Sequence, residues 1–434
     1  MNNLTKSIAQ RQSFRALMLA LAAMPLLLTG CTVSAGSNEP QTVSLEGLHG
    51  SVYGGQSPIS GASIRLYAAG TTGYASTNTN VLANTSLTSG SNGTFTFGTY
   101  TCTAGQQMYI VAVGGNPGSG TNNNEVTVAA LGDCNTINTN TNVQMNEVTT
   151  VAAAYALSPF ATGYQNIGTD AANVAGLKAA FVNAAKLANF STGAAGGTLP
   201  SGATAPVQTI NALADVLSYC VNSTTAGTQC PTLFGYATPS GGSAPTDTFG
   251  VALNMAKYPT NNVSSLLSKV AGNAVFPSTL NTSATTDLTL SIVYTGGSFN
   301  SPTSTTVDGS GQVWVANSGN NTVSVLAQNG TPITGSPFSG NSLNNPVAIA
   351  IGSTGNALVA NKGGTTLSAF SSTGSSLGTA TVGTAPDAIA MDAAGNVWVA
   401  NSSGNSVTEL NSSGTLVQTI TGITSPSAIA IDPK

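Results

Sequence analysis

Between residues 43 and 145, hydrophobic and polar positions alternate over short runs, and Gly, Asn or Ser interrupts them every few residues. A period of two puts every second side chain on one face of a strand, so this stretch predicts an antiparallel β-sandwich. Val52, Ile64 and Leu66 fall on its inward face, Asn92-Gly93 supplies a turn that needs positive φ, and residues 108–113 form a further strand. From 146 to 286 the period lengthens. Residues 148–160, 171–190 and 207–221 carry Ala, Leu and Val at spacings that give one apolar helical face, clearest for Ile210, Leu213, Ala214 and Leu217. Shorter helices are expected over 247–256 and 262–270, each opening on a residue able to cap it, Asp247 and Asn262. The aromatic residues Tyr155, Phe181 and Tyr219 are expected in the core rather than around a ligand. The region reads as an α-helical spacer between two β modules.

From 287 to 434 strands return, and the chain repeats itself. Pro302, Pro346, Pro386 and Pro426 recur at intervals of 44, 40 and 40 residues, each opening a β-branched or Ala-rich run. The first three runs are followed by a strand ending in Asn, at Asn317, Asn361 and Asn401, and then by a third strand. Units of about 40 residues with four short strands predict β-propeller blades, with a stacked solenoid as the alternative. Three whole units and the first strand of another are present. Because propellers close with about 4 to 8 blades, the arc is expected to belong to a longer propeller; the alternative is an unusual closure, in which residues 287–294 supply an outer strand to an adjoining blade or an oligomer covers the open edge. The three asparagines read as turn or blade-locking residues. Asp308 and Asp392 occupy one strand-turn position of separate units, with Gly352 between them, which fits turn chemistry better than a pair of catalytic acids.

Composition changes the picture by pointing outside the cytoplasm. Charged residues make up 6% of the chain and hydrophobic ones 41%, so a core can be buried while Ser, Thr, Asn and Gly cover the surface. Lys6, Arg11 and Arg15 precede an apolar run over 16–28, which has the length of a signal-peptide core and is too short to span a membrane. Leu28-Thr29-Gly30-Cys31 follows, and it resembles the lipobox of bacterial lipoproteins. That resemblance implies removal of residues 1–30, lipid on Cys31, a flexible tether over 31–42 and, with Thr32 next, placement in the outer membrane. Without the leader, seven basic residues face 14 acidic ones. No basic patch for nucleic acid remains. The other four cysteines form sequence-local pairs, Cys102 with Cys134 and Cys220 with Cys230, expected as disulfides in an exported chain. They lack C-x-x-C spacing and the only histidine is His49, so no metal or cofactor is expected.

Two further resemblances bear on function. The segments 50–55, 58–67 and 92–97 resemble the carboxypeptidase-regulatory-like or Cna-B-like sandwich, a module that implies a stalk or spacer. No lysine lies between Lys6 and Lys178, which excludes the internal isopeptide bond of Cna-B relatives. The C-terminal units resemble NHL-type repeats and the propeller of virginiamycin B lyases. That lyase chemistry needs a propeller histidine, and none occurs after residue 125, so the resemblance implies the fold without the activity. No G-x-S-x-G, G-x-x-x-x-G-K-[ST] or H-E-x-x-H motif is present. His49 is expected in a solvated turn ahead of the first strand. The preferred reading is a non-catalytic envelope lipoprotein whose propeller binds a protein or carbohydrate partner. The alternative is an extracytoplasmic lyase or hydrolase of a polymer, with catalytic blades beyond this chain.

Overall fold

A computed structural model describes residues 42–82, 87–272 and 274–432. Cys31, the expected leader and the expected tether up to residue 41 lie outside the described residues, while Thr42 opens a strand, Thr42–Leu45, paired with Tyr100–Thr103. Over the described residues the protein is mainly β with a helical middle: a sandwich, a set of α-helices, and an arc of propeller blades.

One sandwich sheet is built from Val126–Asp133, Gln107–Val113 and Ser63–Ala68, extended by the short strands Thr79–Asn80 and Leu87–Thr88. The facing sheet centres on His49–Gly54, flanked by Thr94–Thr96 and Asn142–Met145. Leu48, Val52, Ile64, Leu66, Phe95, Met108, Ile110 and Met145 fill the space between the two sheets. The ladders are antiparallel except that of Asn142–Met145 with His49–Val52, which is parallel because the chain returns to that edge in the same direction. His49 is the first residue of its strand rather than a turn residue. It is half-buried, with Nδ1 2.8 Å from the Gly47 carbonyl oxygen.

The strands Gln107–Val113 and Val126–Asp133 are buried on both faces, which explains their unbroken apolar runs. The second face of this sheet carries Tyr109, Val111, Val126 and Val128, with Tyr67 from the adjoining strand Ser63–Ala68, and it packs directly on the helices. A continuous core therefore crosses residue 145, and sandwich and helices form one body. Helix α1 (Glu147–Leu157) opens with a reciprocal cap, in which Asn146 accepts from the Thr149 amide at 3.0 Å and Thr149 accepts from the Asn146 amide at 3.1 Å. α2 (Val174–Leu187) and α3 (Val207–Val221) present Phe181, Ile210, Leu213 and Leu217 to the shared core. α4 (Gln229–Ala237) is a helix the sequence pattern did not announce. α5 (Thr248–Lys257) is capped as expected by Asp247, which accepts from the Gly250 amide at 2.8 Å. α6 (Val263–Leu267) is shorter than expected, and Asn262 does not cap it. Asn262 lies at φ +48° and its side chain donates to the Tyr236 carbonyl instead.

Both expected disulfides are present, Cys102–Cys134 within the sandwich and Cys220–Cys230 joining the end of α3 to the start of α4. Residues 287–294 do not join a blade. Leu288, Leu290 and Ile292 pack on the helical core, and Val293–Tyr294 pairs with Ala203–Thr204. Gly330, at φ +89°, lies so close to the Tyr294 ring that a Cβ would sit 1.9 Å from it, so this glycine is required where the first blade meets the body.

The first blade consists of Pro302–Val307, Val313–Asn317 and Thr322–Leu326, with isolated bridges to Phe338 and Pro332 in place of a fourth strand. The second, Pro346–Ile351, Ala357–Asn361, Thr366–Phe370 and Ser376–Thr381, and the third, Pro386–Met391, Val397–Asn401, Ser406–Leu410 and Leu416–Thr421, are four-stranded antiparallel sheets. Residues 422–432 form no ladder.

Candidate binding surface of the propeller blades

Each blade is closed by the same hydrogen bonds. Asn317 Nδ2 donates to Thr322 Oγ1 at 3.2 Å and Ser324 Oγ at 2.8 Å. Asn361 repeats this with Thr366 at 3.1 Å and Ser368 at 2.8 Å, and Asn401 with Ser406 at 3.3 Å and Thr408 at 2.9 Å. All three asparagines are 0% exposed. A buried amide must find partners, and these find them across the hairpin that joins the second and third strands. Asn317 and Asn361 also accept from the Asn300 and Asn344 amides, which fixes the approach of the chain to each blade.

The two aspartates act inside their own turns. Asp308 accepts from the Ser310 and Gln312 amides through Oδ1, and from the Trp314 indole N–H at 2.9 Å through Oδ2. Asp392 accepts from the Ala394 and Asn396 amides and from the Trp398 indole at 3.4 Å. Desolvation raises the Asp392 carboxyl, but the donors from Asn396, Trp398 and Ala394 together outweigh it and hold the group below the usual carboxylate range. In the second blade, Gly352 and Leu358 replace the acid and its indole together. That coupled replacement, Asp and Trp six residues apart, was the available signal for the pairing. The aspartates therefore build turns and are not brought together as an acid pair.

The opposite end of the blades, where the second strands end and the first strands begin, carries short turns of Ser, Asn, Gly and Thr. Lys362 and Asp387 meet there at 2.8 Å and tie the second blade to the third. Sequence reasoning missed this pair because neither residue recurs in the repeats. Nearby, Thr303 donates to the Pro346 carbonyl at 2.8 Å and Asn321 accepts from the Asn345 amide at 2.7 Å. The residue before each repeat proline sits in the left-handed region: Ser301, Asn345, Ala385 and Ser425 have φ between 44° and 53°. Non-glycine residues rarely adopt such angles, and the proline ring disfavours the helical alternative. Between the second and third blades lies a cavity of about 250 Å³ whose lining includes Thr354, Asn356, Leu358, Met391, Asn411 and Ser413.

The remaining titratable groups of interest are buried in the body. Burial pushes Glu147 up to about 8, against hydrogen bonds from its own amide and that of Gly55, while the Asp215 charge raises it further. Burial also holds Glu125 well above the usual range, with Glu147 adding to the effect. Asp215 is raised by burial in spite of bonds from the Phe276 and Val275 amides. Tyr155, Phe181 and Tyr219 lie in or against the helical core. Among the described residues no group of three or more His, Cys, Asp or Glu is placed to hold a metal ion, and no helix is long and apolar enough to cross a membrane.

The NHL repeat family model matches residues 299–326, which fall on the first blade. Among solved structures the chain is similar to virginiamycin B lyase from Staphylococcus aureus, at 20% identity over 29% of this chain and 44% of that one, with a TM-score of 0.27. It is similar to the periplasmic gluconolactonase of Pseudomonas aeruginosa, at 21% identity over 32% of this chain and 44% of that one, TM-score 0.27. It is also similar to the hydrazine synthase of Kuenenia stuttgartiensis, at 19% identity over 31% and 40% of the two chains, TM-score 0.28. The chain thus covers less than half the length of these structures. No curated protein matches it.

Proposed function

We propose that this chain is a non-catalytic cell-envelope lipoprotein, held in the outer membrane by lipid on Cys31, whose propeller blades bind a protein or carbohydrate partner. One observation carries the reading: the polar residues that recur in the blades are consumed by the fold. Asn317, Asn361 and Asn401 lock hairpins and Asp308 and Asp392 close turns, so what remains for recognition is the varied set of short loops. Loops on a rigid scaffold are a common place for binding residues. The Ser, Asn, Thr and Gly of these loops offer hydroxyl and amide groups suited to hydrogen-bonding sugars or peptide backbone, and the Lys362–Asp387 pair fixes the spacing of two blades beneath them.

Two measurements test the proposal. The intact mass of protein extracted from membranes is expected to match a chain starting at Cys31 plus lipid, and Cys31→Ser is expected to release the protein from the membrane fraction. Purified envelope polysaccharide and peptidoglycan are then incubated with the protein. Retention without new reducing ends or peptide fragments supports binding; release of fragments overturns the non-catalytic reading.

A further inference from the structure

A cleft of about 520 Å³ lies where α2 meets the first blade, and its lining includes Lys186, Val182, Phe190, Leu199, Pro200 and Asn329. Lys186 is 5% exposed. Its ammonium donates to three neutral acceptors, Asn183 Oδ1 at 3.3 Å, the Tyr294 hydroxyl at 3.2 Å and the Gln328 carbonyl at 3.4 Å. Among the described residues it makes no ion pair with a carboxylate, whereas Lys178 and Lys362 each do. A cation withdrawn from water without a counter-charge is unfavourable, and long contacts to neutral oxygens offset only part of that cost.

The other polar groups of the cleft point to the same missing partner. Asn189 spends its side-chain oxygen on the Ser191 amide and hydroxyl, and Asn329 spends its own on the Thr331 amide and hydroxyl. Both asparagines line the cleft, and their remaining capacity is as donors through Nδ2. The polar part of the cleft therefore offers a cation, two amide donors and the Thr198 hydroxyl, while Val182, Phe190, Leu199 and Pro200 make the rest apolar. Clefts between a body and a second module are a common location for ligands.

We infer that this cleft binds an anion with an apolar body, specifically an aliphatic carboxylate whose head group pairs with Lys186 and whose chain lies along Val182, Phe190 and Leu199. The cleft uses the turn after the third strand of the first blade, at the end opposite the turns around Asn317 and Lys362, so it stands whether or not those turns bind a partner.

Titration calorimetry of the intact protein with octanoate, and with 1-octanol as the uncharged counterpart, tests this. Octanoate is expected to bind at least about tenfold more tightly than octanol, and Lys186→Met to remove about tenfold or more of that affinity while Lys186→Arg retains most of it. Because Lys186 also ties the body to the blade, Val182→Glu provides a second variant at a surface position that places a negative charge in the cleft. It is expected to abolish octanoate binding with an unchanged circular dichroism spectrum. Absence of octanoate binding, equal binding of octanol, or undiminished binding by Val182→Glu would overturn the inference.

Discussion

The sandwich–helix body buries acids and the propeller arc buries neutral amides, and the two groups meet their partners to different extents. In the body, Glu125, Glu147 and Asp215 each keep one carboxyl oxygen without a hydrogen-bond partner, and burial drives all three upward. In the arc, buried Asn317 and Asn361 meet partners through both amide atoms, Asn401 of the third blade donates through Nδ2 but leaves its oxygen unpartnered, and Asp392 is held below its ordinary value by a ring of donors. Repetition accounts for the difference. A polar device that recurs in every blade must be self-sufficient within one blade, whereas a body made of unlike elements can tolerate acids that persist as neutral carboxyls.

The sharpest way to break this comparison is in the core of the arc. Trp314 is fully buried and spans the seam between the first two blades, so Trp314→Ala is expected to cost about 3–5 kcal/mol. Chemical denaturation followed by hydrogen exchange should show the loss in the arc, with amides of 107–113 and 126–133 retaining their protection.

Next comes pH. The folded value of Glu147, about 8, lies above its ordinary 4.5. Above pH 4.5 the unfolded chain releases this proton and the folded body keeps it, so stability is full below about 4.5 and falls as pH rises toward 8. The decline should be on the order of a few kcal/mol, and Glu147→Gln, which keeps the acceptor for Gly55, should make it shallower in urea titrations run across that range, the raised Glu125 and Asp215 supplying what slope remains. Asp392 has the reverse sign, since its lowered value makes its contribution disappear as pH falls through the acid range.

Removing the Cys102–Cys134 bridge by paired Ser substitution should lower the stability of the body by roughly 2–4 kcal/mol, because the bridge closes a loop spanning 32 residues. Asn361→Ala, which removes the donor to Thr366 and Ser368 and the acceptor for the Asn344 amide, should cost about 1–3 kcal/mol and raise exchange across the second-blade hairpin. The smallest effect is expected for Lys362→Met. That surface pair should contribute no more than about 1 kcal/mol, detectable as a shift in denaturation midpoint that shrinks at high salt.

What the sequence disclosed follows the same division. The blades were legible because Pro302, Pro346 and Pro386 set a register that the strands ending at Asn317, Asn361 and Asn401 repeat, and three copies of a pattern override local ambiguity. The body was legible only where periodicity was strong, as in α3. Helix α4 was missed because Pro231 and Gly235 weaken its propensity, and it is held by the disulfide at Cys230 and by burial of Leu233. Residues 287–294 looked like a strand, yet tertiary packing of Leu288 claimed them for the helical core. The buried carboxyls and Lys186 left no trace in the pattern, since nothing along the chain tells whether a single acid or base ends up under another element. The resemblance of Leu28-Thr29-Gly30-Cys31 to a lipobox, by contrast, is a linear signal that needs no fold to be read.

The left-handed residue before each repeat proline has a consequence for how such a chain changes over generations. Because the bend, the proline, the Asn lock and the hairpin all fall within one stretch of about 40 residues, a recombination event that duplicates or deletes the whole stretch leaves every bend matched to its own blade. A slip of a few codons would instead put a bend at Ser301, Asn345 or Ala385 in front of the wrong strand. Inheritance in this part of the gene should therefore proceed in whole-repeat steps, with point changes collecting in the loops.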